Sequence, residues 1–87
     1  MAWTVIVHAG VEDDLRELGT RDSRIVISVL EKRVANGEPD KLGKPLSGDL
    51  AGFRRIRTGH LRIVSRVDGV KIQVFVIAVG KRRDDAV

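Results

Sequence analysis

The residues best suited to chemistry in this chain are arginines, and they recur at strand spacing. In Phe53-Arg54-Arg55-Ile56-Arg57-Thr58 the β-branched and aromatic positions fit an extended strand. Successive strand side chains point to opposite faces, so Phe53, Arg55 and Arg57 share one face while Arg54 and Ile56 share the other. The chain turns through Gly59-His60, and Arg62 on the returning strand comes beside that row. Guanidinium groups stay charged and offer a planar fork of donors, which suits them to holding phosphate oxygens or to stabilising charge developing on them. His60 lies in the turn between the two arginine-bearing strands, which makes it the candidate proton acceptor. His8, at a strand end, reads as a packing or solvated residue. Trp3 reads as a core or rim side chain, with base stacking as the alternative.

The charge balance points the same way. The chain carries a net charge of +4, but residues 1–40 hold five Lys/Arg against eight Asp/Glu, while residues 41–87 hold eleven against four. Positive charge gathered on one half attracts phosphate backbones or acidic proteins through the summed field. Other chemistries find no foothold. There is no cysteine, hence neither disulfide nor thiolate metal site, which fits a reducing, cytoplasmic setting. No paired Gly-rich phosphate loop, metal-ligand spacing or Ser/His/Asp set is present. Asp84 and Asp85 are adjacent and without histidine company, so they read as solvated rather than as a metal pair. The N-terminus lacks a signal pattern, and the apolar runs fall far short of the roughly 20 residues that span a bilayer.

The elements that must position these arginines follow from periodicity. Eighty-seven residues make a single domain, residues 1–87, with a modest core. Trp3 to His8 alternates as a first strand. Val11, Leu15 and Leu18 mark one face of a short helix, with Glu12, Asp13 and Asp14 in its first turn and Gly19 closing it. Arg24 to Leu30 is rich in β-branched residues, yet the pairs 25/29, 26/30 and 30/34 continue a helical period to Val34, and Asn36-Gly37 supplies a stop. Thr20 or Asp22 is the expected cap of this second helix. Glu38 to Asp49, with two prolines and two glycines, reads as a connecting loop carrying Lys41 and Lys44. Asp68-Gly69 signals a two-residue type I′ hairpin. The apolar run Val74 to Val79 implies a central strand covered at least partly on both sides. The fold class is therefore α+β: an N-terminal strand, an antiparallel helix hairpin, and a three-stranded antiparallel meander, forming one sheet packed by the helices on one face.

This order resembles the RelE/ParE toxin superfamily of bacterial type II toxin-antitoxin modules. The resemblance covers nearly the whole chain and rests on Lys44-Pro45-Leu46-Ser47-Gly48 before the meander, the arginine-rich hairpin Phe53 to Arg62, and the ending Val76-Ile77-Ala78-Val79-Gly80-Lys81-Arg82. The RelE branch implies a metal-independent endoribonuclease without cofactor that cuts mRNA in the ribosomal A site by 2′-hydroxyl attack on the adjacent phosphate. It further implies neutralisation by a RelB-like antitoxin in a hetero-oligomeric complex, with no membrane partner. Carried over by position, Arg55, Arg57, Arg62 and Arg82 become the catalytic residues. Lys41, Lys44, Arg54, Lys81 and Arg83 become RNA contacts, and His60 the candidate base. The chain departs from the family in several places. Arg55 and Arg57 stand where RelE has lysines, and Leu61 and Ser65 where relatives commonly have aromatics. The substrate-orienting tyrosine of RelE would follow Val87 directly, so the 87-residue form is expected to cleave less well than one extended by that residue. Two other readings remain open: a ParE-like inhibitor of DNA gyrase on the same fold, and a basic nucleic-acid-binding module whose arginines only contact phosphate.

Overall fold

A computed structural model of the protein describes residues 2–81. Strand β1 (Thr4–Val7) leads into helix α1 (Ala9–Leu18) and helix α2 (Thr20–Val29), whose axis continues through a wider π-helical segment, Leu30–Ala35. Then come β2 (Lys44–Pro45), a 3₁₀ turn at Gly48–Leu50, β3 (Phe53–Thr58), β4 (Leu61–Asp68) and β5 (Gln73–Lys81). The five strands form one sheet in the order β1-β5-β4-β3-β2, with β1 parallel to β5 and the other pairs antiparallel. The α+β class and the helix hairpin agree with expectation, and β5 lies in the interior of the sheet. No helix among the described residues is long and apolar enough to cross a membrane.

Both helices cover one face of the sheet. Val11, Val26, Val29, Leu30 and Val34 from the helical layer pack with Ile56, Leu61, Ile63, Val74, Val76 and Val79 from the strands. The α1 helix is started by His8, whose Nδ1 accepts from the Gly10 amide at 3.2 Å, so this histidine caps a helix instead of packing or facing solvent alone. Gly19, at φ 87°, ends α1 and begins α2 in the left-handed region that glycine adopts without a Cβ penalty. No side chain caps α2; neither Thr20 nor Asp22 has that role. The Ser23 hydroxyl instead donates to the Leu15 carbonyl and ties the two helices together. At the far end, Asn36 Nδ2 donates to the Glu31 carbonyl at 2.8 Å.

Three expectations are corrected. The 38–49 segment is not wholly a loop, because Lys44 and Pro45 pair with Arg55 and Arg54 as a short edge strand. The β4–β5 connection is not a type I′ turn: Asp68 pairs with Gln73, leaving four residues between them. The Asp68 carboxylate accepts from the amides of Val70 and Lys71, both at 3.1 Å, and so organises a longer turn. The positive φ then falls on Ile72, at 54°, and not on Gly69. Finally, the middle strand is β4 and not β5, and the helices cover one face of β5 while its other face is half-buried at Phe75 and Ala78. Its apolar run carries a bulge, since Ser65 pairs with Val76 while Val64 pairs with Ala78, leaving Ile77 over. Val74, Val76 and Val79 are buried, whereas Ile77 remains 36% exposed.

Candidate functional site

The face of the sheet turned away from the helices gathers the arginines. On β3, Ile56 is buried in the core, so its strand neighbours Arg55 and Arg57 project to the opposite side. On β4, Leu61, Ile63 and Ser65 are buried, which sends Arg62, Val64 and Arg66 to that same open face. Cross-strand register aligns these side chains in rows. Arg57 stands directly opposite Arg62, which on its other side faces Gly80; Lys44, Arg55, Val64 and Ala78 form the next row. Phe53, Arg66, Phe75 and Ile6 form a further row.

Like charges directly opposite one another in a sheet are destabilising. The pairing of Arg57 with Arg62, with Arg55 and Lys44 alongside, concentrates positive charge on this face. The described residues of β3, β4 and β5 contain one carboxylate, Asp68, and it is committed to its own turn. Arg55 adds a second sign of an incomplete environment. Its Nε is buried and has no hydrogen-bond partner among the described residues, a state costing about 1–3 kcal/mol when no acceptor is supplied. The arrangement can hold phosphate oxygens and stabilise charge on them.

The remaining candidates divide. Lys44 joins the arginine face through its pairing with Arg55. Arg54 does not: it shares the parity of Ile56, and its Nε and Nη2 donate to the carbonyls of Leu42 and Gly43 at 2.9 and 3.3 Å, fastening the loop before β2. Lys41 is exposed on that loop, 3.8 Å from Glu38. Lys81 pairs with core-facing Leu61 and so leaves the sheet on the helix side. His60 is also turned away from the arginines. Its Nε2 lies 3.0 Å from Oδ2 of Asp22 on α2, a contact that pins the β3–β4 turn to the helical layer. Trp3 packs against the core, and its amide donates to the Ala35 carbonyl at 2.7 Å. Arg82, Arg83, Asp84, Asp85 and the position after Val87 lie outside the described residues.

Sequence reasoning missed Arg66. It sits four residues beyond Arg62 on the same strand, so alternation alone assigns it to the same face. Its guanidinium carbon lies 5.2 Å from the centroid of the Phe75 ring, within the range of a cation–π contact. Phe75 itself was hidden in an apolar run whose two faces the bulge separates.

Known proteins agree with this architecture. Residues 5–86 match the family model described as the ParE toxin of the type II toxin-antitoxin system parDE. Toxin RelG of Mycobacterium tuberculosis is 33% identical over 86 residues, covering 97% of this chain and 95% of that protein. Among solved structures, the RelBE2 toxin-antitoxin complex of M. tuberculosis superposes with a TM-score of 0.87 at 29% identity, over 94% of this chain and 100% of the matched one. A free mutant form of the E. coli toxin RelE gives 0.67 at 28% identity, over 93% and 84%. The chain belongs to the ParE toxin family of type II toxin-antitoxin systems.

Proposed function

We propose that the protein is a ribosome-dependent endoribonuclease that cuts mRNA in the A site. The observation that carries this reading is the row of Arg57 opposite Arg62, with Arg55 and Lys44 beside it, on the face opposite the helices. In the reaction the 2′-oxygen forms a bond to the adjacent phosphorus while the bond from phosphorus to the 5′-oxygen breaks. The products are a 2′,3′-cyclic phosphate and a 5′-hydroxyl. The 2′-hydroxyl loses a proton and the departing 5′-oxygen gains one, so the step is neutral overall. Arg55, Arg57 and Arg62 orient the phosphate in line and meet the charge that grows on its equatorial oxygens. Arg82 joins them by correspondence with the family ending.

Arginine, whose guanidinium keeps its proton, is a poor proton acceptor, and His60 faces Asp22 instead of the arginine row. With His60 turned to Asp22, rate enhancement in this reading comes from positioning and charge. A RelB-like antitoxin, such as the one in the E. coli RelBE complex to which this chain is similar, neutralises the toxin by covering the positive face or the helices in a hetero-oligomer.

The ParE family model favours a second reading, inhibition of DNA gyrase on the same fold. Mapping mRNA 5′ ends after brief expression, beside a gyrase supercoiling assay, separates the two. New 5′ ends within translated codons, lost in Arg62→Ala, support cleavage. Inhibited supercoiling with intact mRNA supports the other.

A further inference from the structure

None of the three aromatic side chains of this protein is fully buried in its core. Among the described residues the buried hydrophobic core is made of Val, Leu and Ile, although Phe is among the residues most often placed inside and is the more valuable to a small domain for its area. Trp3 lies at the core margin. Phe53 and Phe75 both stand on the uncovered face of the sheet, half-buried, in a single cross-strand row on either side of exposed Arg66. Ile6, 37% exposed, extends the row onto β1. The Arg66 guanidinium carbon already lies over the Phe75 ring, and Arg66 is itself exposed to solvent.

We propose that Phe53, Arg66 and Phe75 form a base-stacking platform for the single-stranded RNA whose phosphates engage Arg55, Arg57 and Arg62. This inference rests on the reading of the arginine row as a phosphate site. Single-stranded RNA is recognised by stacking its bases on aromatic rings and guanidinium planes while cations follow the backbone. Both features are present on one face here. Arg62 and Arg66 are four residues apart on β4, about 13 Å in an extended strand, so one short strand of RNA reaches both. The cationic rows handle the scissile phosphate, and the Phe53–Arg66–Phe75 row holds a neighbouring base and fixes the register of the cut. Charge of a single sign beside flat π surfaces matches a polyanion with planar bases better than a peptide, which would leave the guanidinium plane unused.

The test is direct binding of a short RNA, 2′-O-methylated throughout so that it cannot be cut, with 2-aminopurine placed at successive positions. Stacking quenches that fluorophore. Wild-type protein is expected to quench it at one position. Arg66→Lys keeps the charge and removes the plane; Phe75→Leu keeps apolar bulk and removes the ring. Each is expected to weaken binding roughly tenfold and relieve the quenching, with the salt dependence of Kd unchanged. Arg62→Ala should flatten the salt dependence yet leave quenching intact at saturation. Arg66 is exposed, so Arg66→Lys informs even if Phe75→Leu fails to fold. Equal affinity and equal quenching in Arg66→Lys would overturn the platform. Binding without quenching in the wild type would overturn it too, while leaving the nuclease reading in place. Absence of any binding to this free RNA would overturn the platform, whereas the nuclease reading stands or falls separately on cleavage of ribosome-bound mRNA. Quenching that depends on Arg66, in a protein that cuts no ribosome-bound mRNA, would keep the platform and remove the nuclease. If the two variants instead bind RNA normally and lose the antitoxin on co-purification, the row is a protein interface and the proposal fails.

Discussion

Replacing Arg62 by glutamine should make the protein more stable and nearly inactive at once. The two effects come from the same geometry. Arg57 and Arg62 are directly opposed across β3 and β4, and like charges so placed cost on the order of 0.2–1 kcal/mol. Arg62 is exposed, so solvent screening keeps the figure to the lower part of that range, about 0.2–0.5 kcal/mol. For a domain of this size 1 kcal/mol corresponds to roughly 4–8 °C in Tm, so Arg62→Gln should melt about 1–4 °C higher at low salt. The gain should vanish near 1 M salt, where the screening length falls to about 3 Å. Losing a group that stabilises transition-state charge costs about 10²–10³ in rate. Thermal melts at two salt concentrations, beside single-turnover cleavage of ribosome-bound mRNA read by primer extension, measure both quantities on one preparation. A lower Tm with cleavage preserved would refute the argument, because it would make Arg62 a structural residue and its apposition to Arg57 harmless.

Other substitutions separate scaffold from site. His60→Ala should leave the pH profile of cleavage unchanged and lower Tm by no more than a few degrees, since its contact with Asp22 is a half-exposed pair worth up to about 1 kcal/mol; loss of a titrating limb near neutral pH would instead make His60 the base. Arg54→Ala should cost about 1–2 kcal/mol by releasing the Leu42 and Gly43 carbonyls, and limited proteolysis should then cut near residue 42 while the folded fraction still cleaves mRNA. Gly43→Ala should be worse, costing on the order of 2 kcal/mol or more, because φ is 75° and the new Cβ would sit 2.3 Å from the Arg55 carbonyl oxygen. Urea titration of that variant checks the magnitude, and a loss below about 0.5 kcal/mol would mean that β2 and β3 move apart freely.

The common face of Arg55, Arg57 and Arg62 was legible in the sequence because alternation is a property of the extended backbone and needs no knowledge of packing. The role of Arg54 was not. Its parity was readable, but its partners are backbone carbonyls of a loop whose path depends on a strand only two residues long, and no periodicity can announce two residues. Asp68 misled for a related reason. An Asp-Gly pair can supply φ above zero, but the Asp carboxylate can also accept from amides further on, and here that second option won. The histidines were similarly ambiguous: each makes a structural contact, His8 at a helix start with an amide two residues on and His60 at a turn with a carboxylate that only tertiary placement brings near.

The bulge in β5 explains why the open face took the form it has. Strict alternation from Val74 and Val76 would carry Ala78 and Gly80 into the core and set Val79 beside Arg62. The extra residue, Ile77, shifts the parity by one, so Val79 pairs with Ile63 inside and Gly80 with Arg62 outside. A Cβ at Gly80 would meet nothing within 4 Å, so the space next to Arg62 is open rather than filled by a valine. The same shift leaves Phe75 on the outer face, upstream of the bulge, where its register places it against Arg66. Nothing local marks that irregularity, since the run contains neither glycine nor proline between Val74 and Val79. One inserted residue thus does two things: it keeps buried side chains facing the core to the end of the strand, and it leaves open space beside the arginine pair.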